Sequence, residues 1–304
     1  LLVLAAAVVI RTSWFQDLVR AQVEQAADSV LSGQLRIGRL HGSLLRGVQL
    51  DDVRLQAGGR DVLVVPSIAL HYSLIRLVRH SIVIDRITLI KPAITLIESD
   101  SGWNVTSLVK TREAGSSSST SVAIDALEIE DGEVVIEQKQ QRTNSGVRIP
   151  DELKHLEAAL SLAYDAGTLR MTLEKVSFLS GEPSPSLVVR DLSGDFRQAG
   201  GGYRVDDLHL QTDRSEVRLT AEYVQSTAPA TVTAHVEGTP LNLAEWSGIV
   251  PALAPSAITP TFTLDARGPV NALELKGSAA DQRAGKIDLN VVLDLDSPRQ
   301  GIKG

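Results

Sequence analysis

Cysteine is absent from the 304-residue chain. That excludes disulfides and every metal site built on thiolates. It also suits an oxidising compartment, where a stray thiol is a liability. Aromatic residues are scarce, at 4%, and there is one Met. The 43% of residues that are apolar are therefore mostly Leu, Val, Ile and Ala, a supply better suited to thin sheets than to a thick aromatic core. A positive surplus is missing too. The formal net charge of −7 argues against a phosphate-binding surface, which needs clustered Lys and Arg, and so against nucleic acid as a partner.

Chemical motifs are equally sparse. None of His41, His71, His80, His155, His209 and His235 stands at a recognised metal-ligand spacing from another His, Asp or Glu. No G-x-S-x-G elbow, P-loop or G-x-G-x-x-G occurs. Gly200, Gly201 and Gly202 form a turn signal with no helix signal after it. The sequence offers no catalytic residue, metal ligand or cofactor site, and the chain reads as a non-enzyme.

What the sequence does have is alternation. In SIVIDRITLIKPAITLIESDSGWN (81–104), Ile82 and Ile84 alternate, then Ile87 and Leu89, then Ile94 and Leu96. β-Branched residues alternating with polar ones mark a strand that is wet on one face. The step from Ile84 to Ile87 is three residues, which would flip the apolar face of a regular strand. An extra residue, a β-bulge, restores it. Pro92 lacks an N–H and marks a bend, an edge or a turn.

The same eight-residue word recurs as VQLDDVRL (48–55), IVIDRITL (82–89), VAIDALEI (122–129) and YRVDDLHL (203–210). Each has an Asp at the phase shift: Asp51, Asp85, Asp125 and Asp206. The starts lie 34, 40 and 81 residues apart, spacings that suggest units packing on their neighbours. One Asp per word is too sparse for a calcium loop, which gathers several oxygens within a dozen residues. A bulge or turn is the expected role of each Asp.

Along the chain, residues 1–10, LLVLAAAVVI, are wholly apolar. Ten residues cannot span ~30 Å of hydrocarbon, which takes about 20. Leu1, Leu2, Val3, Leu4, Val8, Val9 and Ile10 read as the outer end of a membrane anchor in a fragment of a longer chain; a signal-peptide core is the alternative. The expected organisation is an anchor end at 1–11, an amphipathic helix at 12–33, a first β section at 34–110, a Ser-rich loop at 111–121 and a continuing β section at 122–304. In the helix, Phe15, Val19, Val23, Ala26 and Val30 form one stripe, suited to covering the first strand. Short helical crossovers are expected at 73–80 and after Trp103. The second section reads as strand after strand, with separate strands at 122–130 and 132–138, a hairpin turn at Asp165-Ala166-Gly167 and one helical turn at 241–246.

The order of signals in 35–104 resembles a known family. GSLLRGVQLDDVRL is followed by IALHYSLIRL, the Ile-rich run, PAITL and GWN. This resembles the amino-terminal part of the AsmA-like superfamily, most of all its TamB branch, the inner-membrane subunit of the translocation and assembly module. The resemblance implies a single-pass anchor in the bacterial inner membrane with the bulk in the periplasm. It implies a long sheet curled into a gutter with an apolar inside, phospholipid movement toward the outer membrane, and assembly of outer-membrane barrel proteins.

Residue patterning leads to a compatible expectation. The fold class is all-β: a long, open, curled, antiparallel or mixed sheet with an amino-terminal helix and a few short crossover helices. Sixteen strands at ~4.8 Å would extend about 75 Å, and the helix signals are too few to cover such a face. Val48, Leu50, Ile82, Ile84, Ile87, Leu89, Ile94, Leu96, Leu208 and Leu210 are the candidate lining of an apolar groove. Phospholipid acyl chains are its expected filling. Two rival functions are an assembly scaffold whose open strand edges pair with a client barrel and an enzyme on a β-solenoid. The second would need clustered inward carboxylates or Arg where Ile, Leu and Val stand.

Overall fold

The computed structural model describes residues 20, 21, 24, 32–43, 47–72, 81–99, 102–104, 121–138, 146–165, 167–225, 228–295 and 302–303. The fold is mainly all-β, built on a large mixed sheet. The chain divides into two compact units, Leu1–Gln141 with Asp151–Ala159, and Arg142–Pro150 with Leu160–Gly304. The expected anchor (1–10), the crossover at 73–80, the helix after Asn104 and the Ser-rich loop (111–120) lie outside the described residues.

Unit 1 contains β1 (Gln34–Ser43), β2 (Gly47–Ala57), β3 (Arg60–Tyr72), β4 (Ser81–Ile90), β5 (Ala93–Ser99), β6 (Gly102–Trp103), β7 (Ser121–Glu137) and the first half of β8 (Glu152–Asp165). β1, β2, β3 and β4 pair antiparallel in sequence order. β7 then returns parallel to β4 and β5, with a constant offset of 40 residues: Ile84 lies opposite Ile124, Ile87 opposite Leu127, and Ile94 opposite Val134. The words at 82 and 122 are thus literal neighbours in the sheet. The word at 48 is not their neighbour, because β3 lies between β2 and β4. The Ser-rich stretch is a connection within unit 1, since β7 pairs with strands that precede it.

The three-residue step in β4 is a bulge. Tyr72 pairs with Ile84 and Leu70 pairs with Ile87, with a register shift between them. Leu70 and Tyr72 share a face by strand alternation, so their partners Ile84 and Ile87 share it too. In β2 the left-handed residue is Asp52, at φ 54°, one past the expected Asp51, which stays in the ladder opposite Arg39 and Ser67; Asp is among the few residues besides glycine that tolerate that region. The ladders skip Gly38, Asp52 and Pro66 on three adjacent strands. All three strands therefore shift phase together, and their apolar residues stay on one face.

The same bend continues across the unit. Lys91 at the β4–β5 joint, Asp131 inside β7 and His155 inside β8 have φ of 51°, 50° and 51°. The segment expected as two strands, 122–130 and 132–138, is one strand, β7, bent at Asp131. Side chains ladder along the bend: Lys91 Nζ lies 3.6 Å from Asp131 Oδ2, and His155 Nδ1 lies 2.9 Å from Asp131 Oδ1. The hydrogen bond from His155, and then the Lys91 charge, hold the Asp131 carboxyl below its usual range.

Under the apolar face lies a closed cluster of Ile37, Leu40, Val48, Leu50, Val53, Val65 and Ile68, with Ile87 and Leu89 packed against it. Of the expected amino-terminal helix, residues 20, 21 and 24 are described, and they are helical. They satisfy β1 directly: the Ile37 N–H donates to Glu24 Oε1 (2.8 Å), and Arg20 donates to the Gly38 carbonyl (3.0 Å).

Unit 2 contains the second half of β8, then β9 (Thr168–Ser180), β10 (Val188–Ala199), β11 (Gly202–Thr212), β12 (Glu216–Val224), β13 (Thr231–Gly238), β14 (Thr261–Pro269), β15 (Leu273–Asp281), β16 (Gly285–Leu293) and β17 (Ile302–Lys303). From β9 to β17 each strand pairs antiparallel with the next. Two 3₁₀ turns, Glu245–Ser247 and Pro251–Leu253, lie between β13 and β14.

Candidate functional site: the apolar face of unit 2

The ladders of unit 2 stack apolar residues in continuous rows. One row runs Leu208, Leu219, Val236, Leu264, Gly277, Leu289 across β11 to β16. A second runs Leu210, Val217, Gly238, Phe262, Ala279, Ile287, and a third Val205, Ala221, Ala234, Ala266, Leu275, Val291. Directly paired residues share a face, so this is one apolar surface six strands wide. At ~4.8 Å per spacing it extends about 24 Å across the strands.

The bulge predicted by the sequence is what keeps this face continuous. Val205 pairs with Ala221 and Leu208 with Leu219, three residues against two. The left-handed residue that absorbs the extra position is Asp207, at φ 48°, and not the expected Asp206, which stays paired with Asp195. Opposite it, Gly194 sits at φ 146°, and a Cβ there would come within 2.7 Å of Leu208 Cα, so the bulge is closed by a residue without a side chain.

Most of the face is only half-buried, and Ile287 is 68% exposed. Among the described residues of unit 2, the buried apolar ones are Leu187, Val189, Ala266 and Leu273. The opposite face is charged. His235 Nδ1 lies 3.0 Å from Asp265 Oδ1, and its Nε2 lies 3.0 Å from Glu237 Oε1. The Glu237 bond first, then that of Asp265, raise the imidazole's affinity for its proton. His209 lies between Asp191 (3.5 Å) and Glu216 (3.2 Å), and Arg218 also reaches Glu216 (3.0 Å). Among the described residues no group of three or more His, Asp or Glu is arranged to hold a metal ion.

At the β14–β16 side the face deepens into an apolar cavity of about 370 Å³, lined by Phe262, Leu264, Gly277, Ala279, Ile287 and Leu289 and closed at its end by Leu241 and Pro260. Small residues at 277 and 279 make its floor. Thr263 and Ser278 bond to each other (3.3 Å), so their hydroxyls are already partnered.

The ten groove candidates divide by environment. Val48 and Leu50 lie inside the closed cluster of unit 1. Ile84, Ile87, Leu89, Ile94 and Leu96 are half-buried, as are Leu208 and Leu210 in unit 2. Ile82 pairs through its backbone with Val122, and its side chain lies outside the description. Leu1, Leu2, Val3, Leu4, Val8, Val9 and Ile10 also lie outside it. Among the described residues no helix is long and apolar enough to cross a membrane.

Residues the sequence did not single out complete the site. Residues 239–260 leave β13 and run back along the strand ends. Thr212 and Ser215 each donate a hydroxyl to Glu245 Oε2 at 2.7 Å, and the Arg214 N–H donates to Glu245 Oε1 at 3.1 Å. Ser215 Oγ also accepts from the Asn242 N–H (3.0 Å) and Trp246 Nε1 (3.2 Å). Further on, Gly248 lies against the carbonyls of Pro183 and Pro185. The available signal was Asn242 three residues ahead of Glu245, a residue type that bonds nearby backbone and whose Oδ1 accepts the Glu245 N–H (3.1 Å).

Comparison of the chain with protein-family models, curated proteins and solved structures finds no match.

Proposed function

We propose that this chain is a lipid-carrying bridge whose apolar face holds phospholipid acyl chains, anchored in the bacterial inner membrane and extending through the periplasm toward the outer membrane. The observation that carries this reading is the set of same-face apolar rows on β11 to β16, half-exposed, backed by a charged opposite face. An aqueous protein does not usually leave so wide an apolar surface uncovered unless something binds it. The resemblance to the AsmA-like superfamily supports the same reading and supplies its location.

The energetics suit a conduit. Each CH₂ withdrawn from water gains ~0.8 kcal/mol, so a 16-carbon chain gains on the order of 10 kcal/mol on such a face. A bilayer gives the chain a similar gain. Exchange between the two is then close to neutral, and a lipid neither sticks nor is refused.

A second reading, a scaffold for outer-membrane barrel proteins, is favoured by one feature. β16 pairs with β15 along nine residues but with β17 at only Val292 and Leu293. Among the described residues, 285–291 of β16 present an open edge to which a client strand could add.

Transfer of a fluorescent phospholipid between vesicles separates the two. Leu208→Asp and Leu219→Asp should stop transfer, because a charge on the apolar face of β11 to β16 is costly to an acyl chain passing over it. Thr220→Lys, on the exposed opposite side of β12 from Leu219, should leave it intact. Equal loss in all three variants, or no transfer by the wild type, would leave the scaffold reading ahead.

A further inference from the structure

We infer that residues 239–260 form a strap walling a single-tail seat in unit 2, and that the Glu245–Ser215 latch governs entry to it. The inference rests on the acyl-carrying reading and specifies where a tail stops and what holds it.

The seat is the cavity of about 370 Å³ over Gly277 and Ala279, within the size range of small-ligand sites, about 300–1,000 Å³. Its occupant must be apolar along its whole length. The side chains around it are aliphatic or aromatic, apart from Thr263 and Ser278, which bond to each other. A peptide would leave its backbone N–H and C=O groups unpaired there, at a cost of a hydrogen bond or more for each. An alkyl chain has no such groups.

The strap forms one wall. Its two feet, Leu241 and Pro260, close the cavity and are joined by the Leu241 N–H to Pro260 carbonyl bond (2.9 Å). Its middle is tied down at one polar node. Thr212 and Ser215 are buried at 5% and 3% exposure, and both hydroxyls converge on the same Glu245 oxygen. Ser215 is the hub, since it also accepts from the Asn242 N–H and the Trp246 indole. Removing its hydroxyl leaves two donors and a carboxylate oxygen short of a partner at once, which loosens the strap without touching the seat.

Trp246 reports on the strap and can serve as an energy donor to cis-parinaric acid, a conjugated fatty acid. In a Trp14→Phe, Trp103→Phe background it is the sole tryptophan. The wild-type strap should show energy transfer from Trp246 to bound parinarate. Ser215→Ala and Glu245→Ala should red-shift Trp246 and raise the parinarate release rate tenfold or more. Ala279→Phe, which fills the floor, should abolish transfer while leaving Trp246 emission unchanged. Lys276→Phe, on the exposed opposite side of the same strand and outside the seat, should do neither, and circular dichroism should show the same β content in every variant. A release rate within twofold of wild type in both latch variants would overturn the strap's role. Capture that survives Ala279→Phe would overturn this seat while keeping the acyl-carrying face. No capture by the wild type would overturn both.

Discussion

Two copies of one word sit in different surroundings. VQLDDVRL in unit 1 and YRVDDLHL in unit 2 share the same local geometry: the second Asp, Asp52 or Asp207, is left-handed at φ 54° or 48°. It takes up the phase shift so that the flanking apolar residues share a face. Their burial differs. Val48, Leu50, Val53 and Leu55 are all buried. Val205, Leu208 and Leu210 are half-buried and Tyr203 is 43% exposed. The word therefore dictates a bent, one-sided strand, and what packs against the strand decides whether its apolar face becomes a core or stays half-exposed.

The largest test of that contrast is a charge at the sixth position of each word. Val53→Asp places a carboxylate where exposure is 2% and should unfold unit 1, with a loss of several kcal/mol. Leu208→Asp keeps access to water and should lower stability by about 1 kcal/mol or less, yet it should impair lipid transfer. Urea denaturation followed by circular dichroism measures both. A similar large loss at both positions would show that unit 2's face is a closed core.

The shared half of the comparison can be broken at the bulge. Asp52→Val and Asp207→Val force a β-branched residue into the left-handed region and should each lose about 1–2 kcal/mol or more. Asp52→Gly and Asp207→Gly should change little. Because the effect is set by the backbone, it should be alike in the two units despite their different burial. A loss confined to one unit would refute a common geometry.

The smallest effect concerns the charged face. His235 is bridged by Glu237 and Asp265, which raise its pKa above the ordinary 6.5. A raised folded-state pKa contributes stability that is full below about pH 6.5 and lost as pH rises through the folded value. His235→Asn should therefore narrow its stability gap to wild type between about pH 6 and pH 9, by a few tenths of a kcal/mol for so exposed a group. A gap that widens with pH would contradict the assignment.

Strand positions were legible because alternation is local: the alternating runs that begin at Ile82 and Ile94 fall within β4 and β5. The phase shifts were legible too, as three-residue steps in an apolar pattern, but the residue that turns left-handed is the second Asp, Asp52 or Asp207, and not the expected Asp51 or Asp206. The bend at Lys91, Asp131 and His155 was not, apart from Pro92. A left-handed Lys or His leaves no mark in hydropathy, so β7 read as two strands. The return of β7 parallel to β4 joins residues 40 apart in the chain, Ile84 with Ile124 and Leu89 with Ile129. It has no local signature beyond the repeated word itself. Burial was the least legible property, since Val48 and Leu208 occupy similar patterns with opposite neighbours. The Glu245 latch joins residues about 30 apart through single hydroxyls, and no periodicity reports that.

The most direct test of the acyl-carrying face is photocrosslinking in intact cells, with a diazirine amino acid placed singly at Leu219 or at its neighbour Thr220. The two positions differ by one residue and face opposite sides of β12. Mass spectrometry of the purified protein should show phospholipid adducts at Leu219 and none at Thr220. Equal capture at both positions, or protein adducts without lipid at Leu219, would contradict the account.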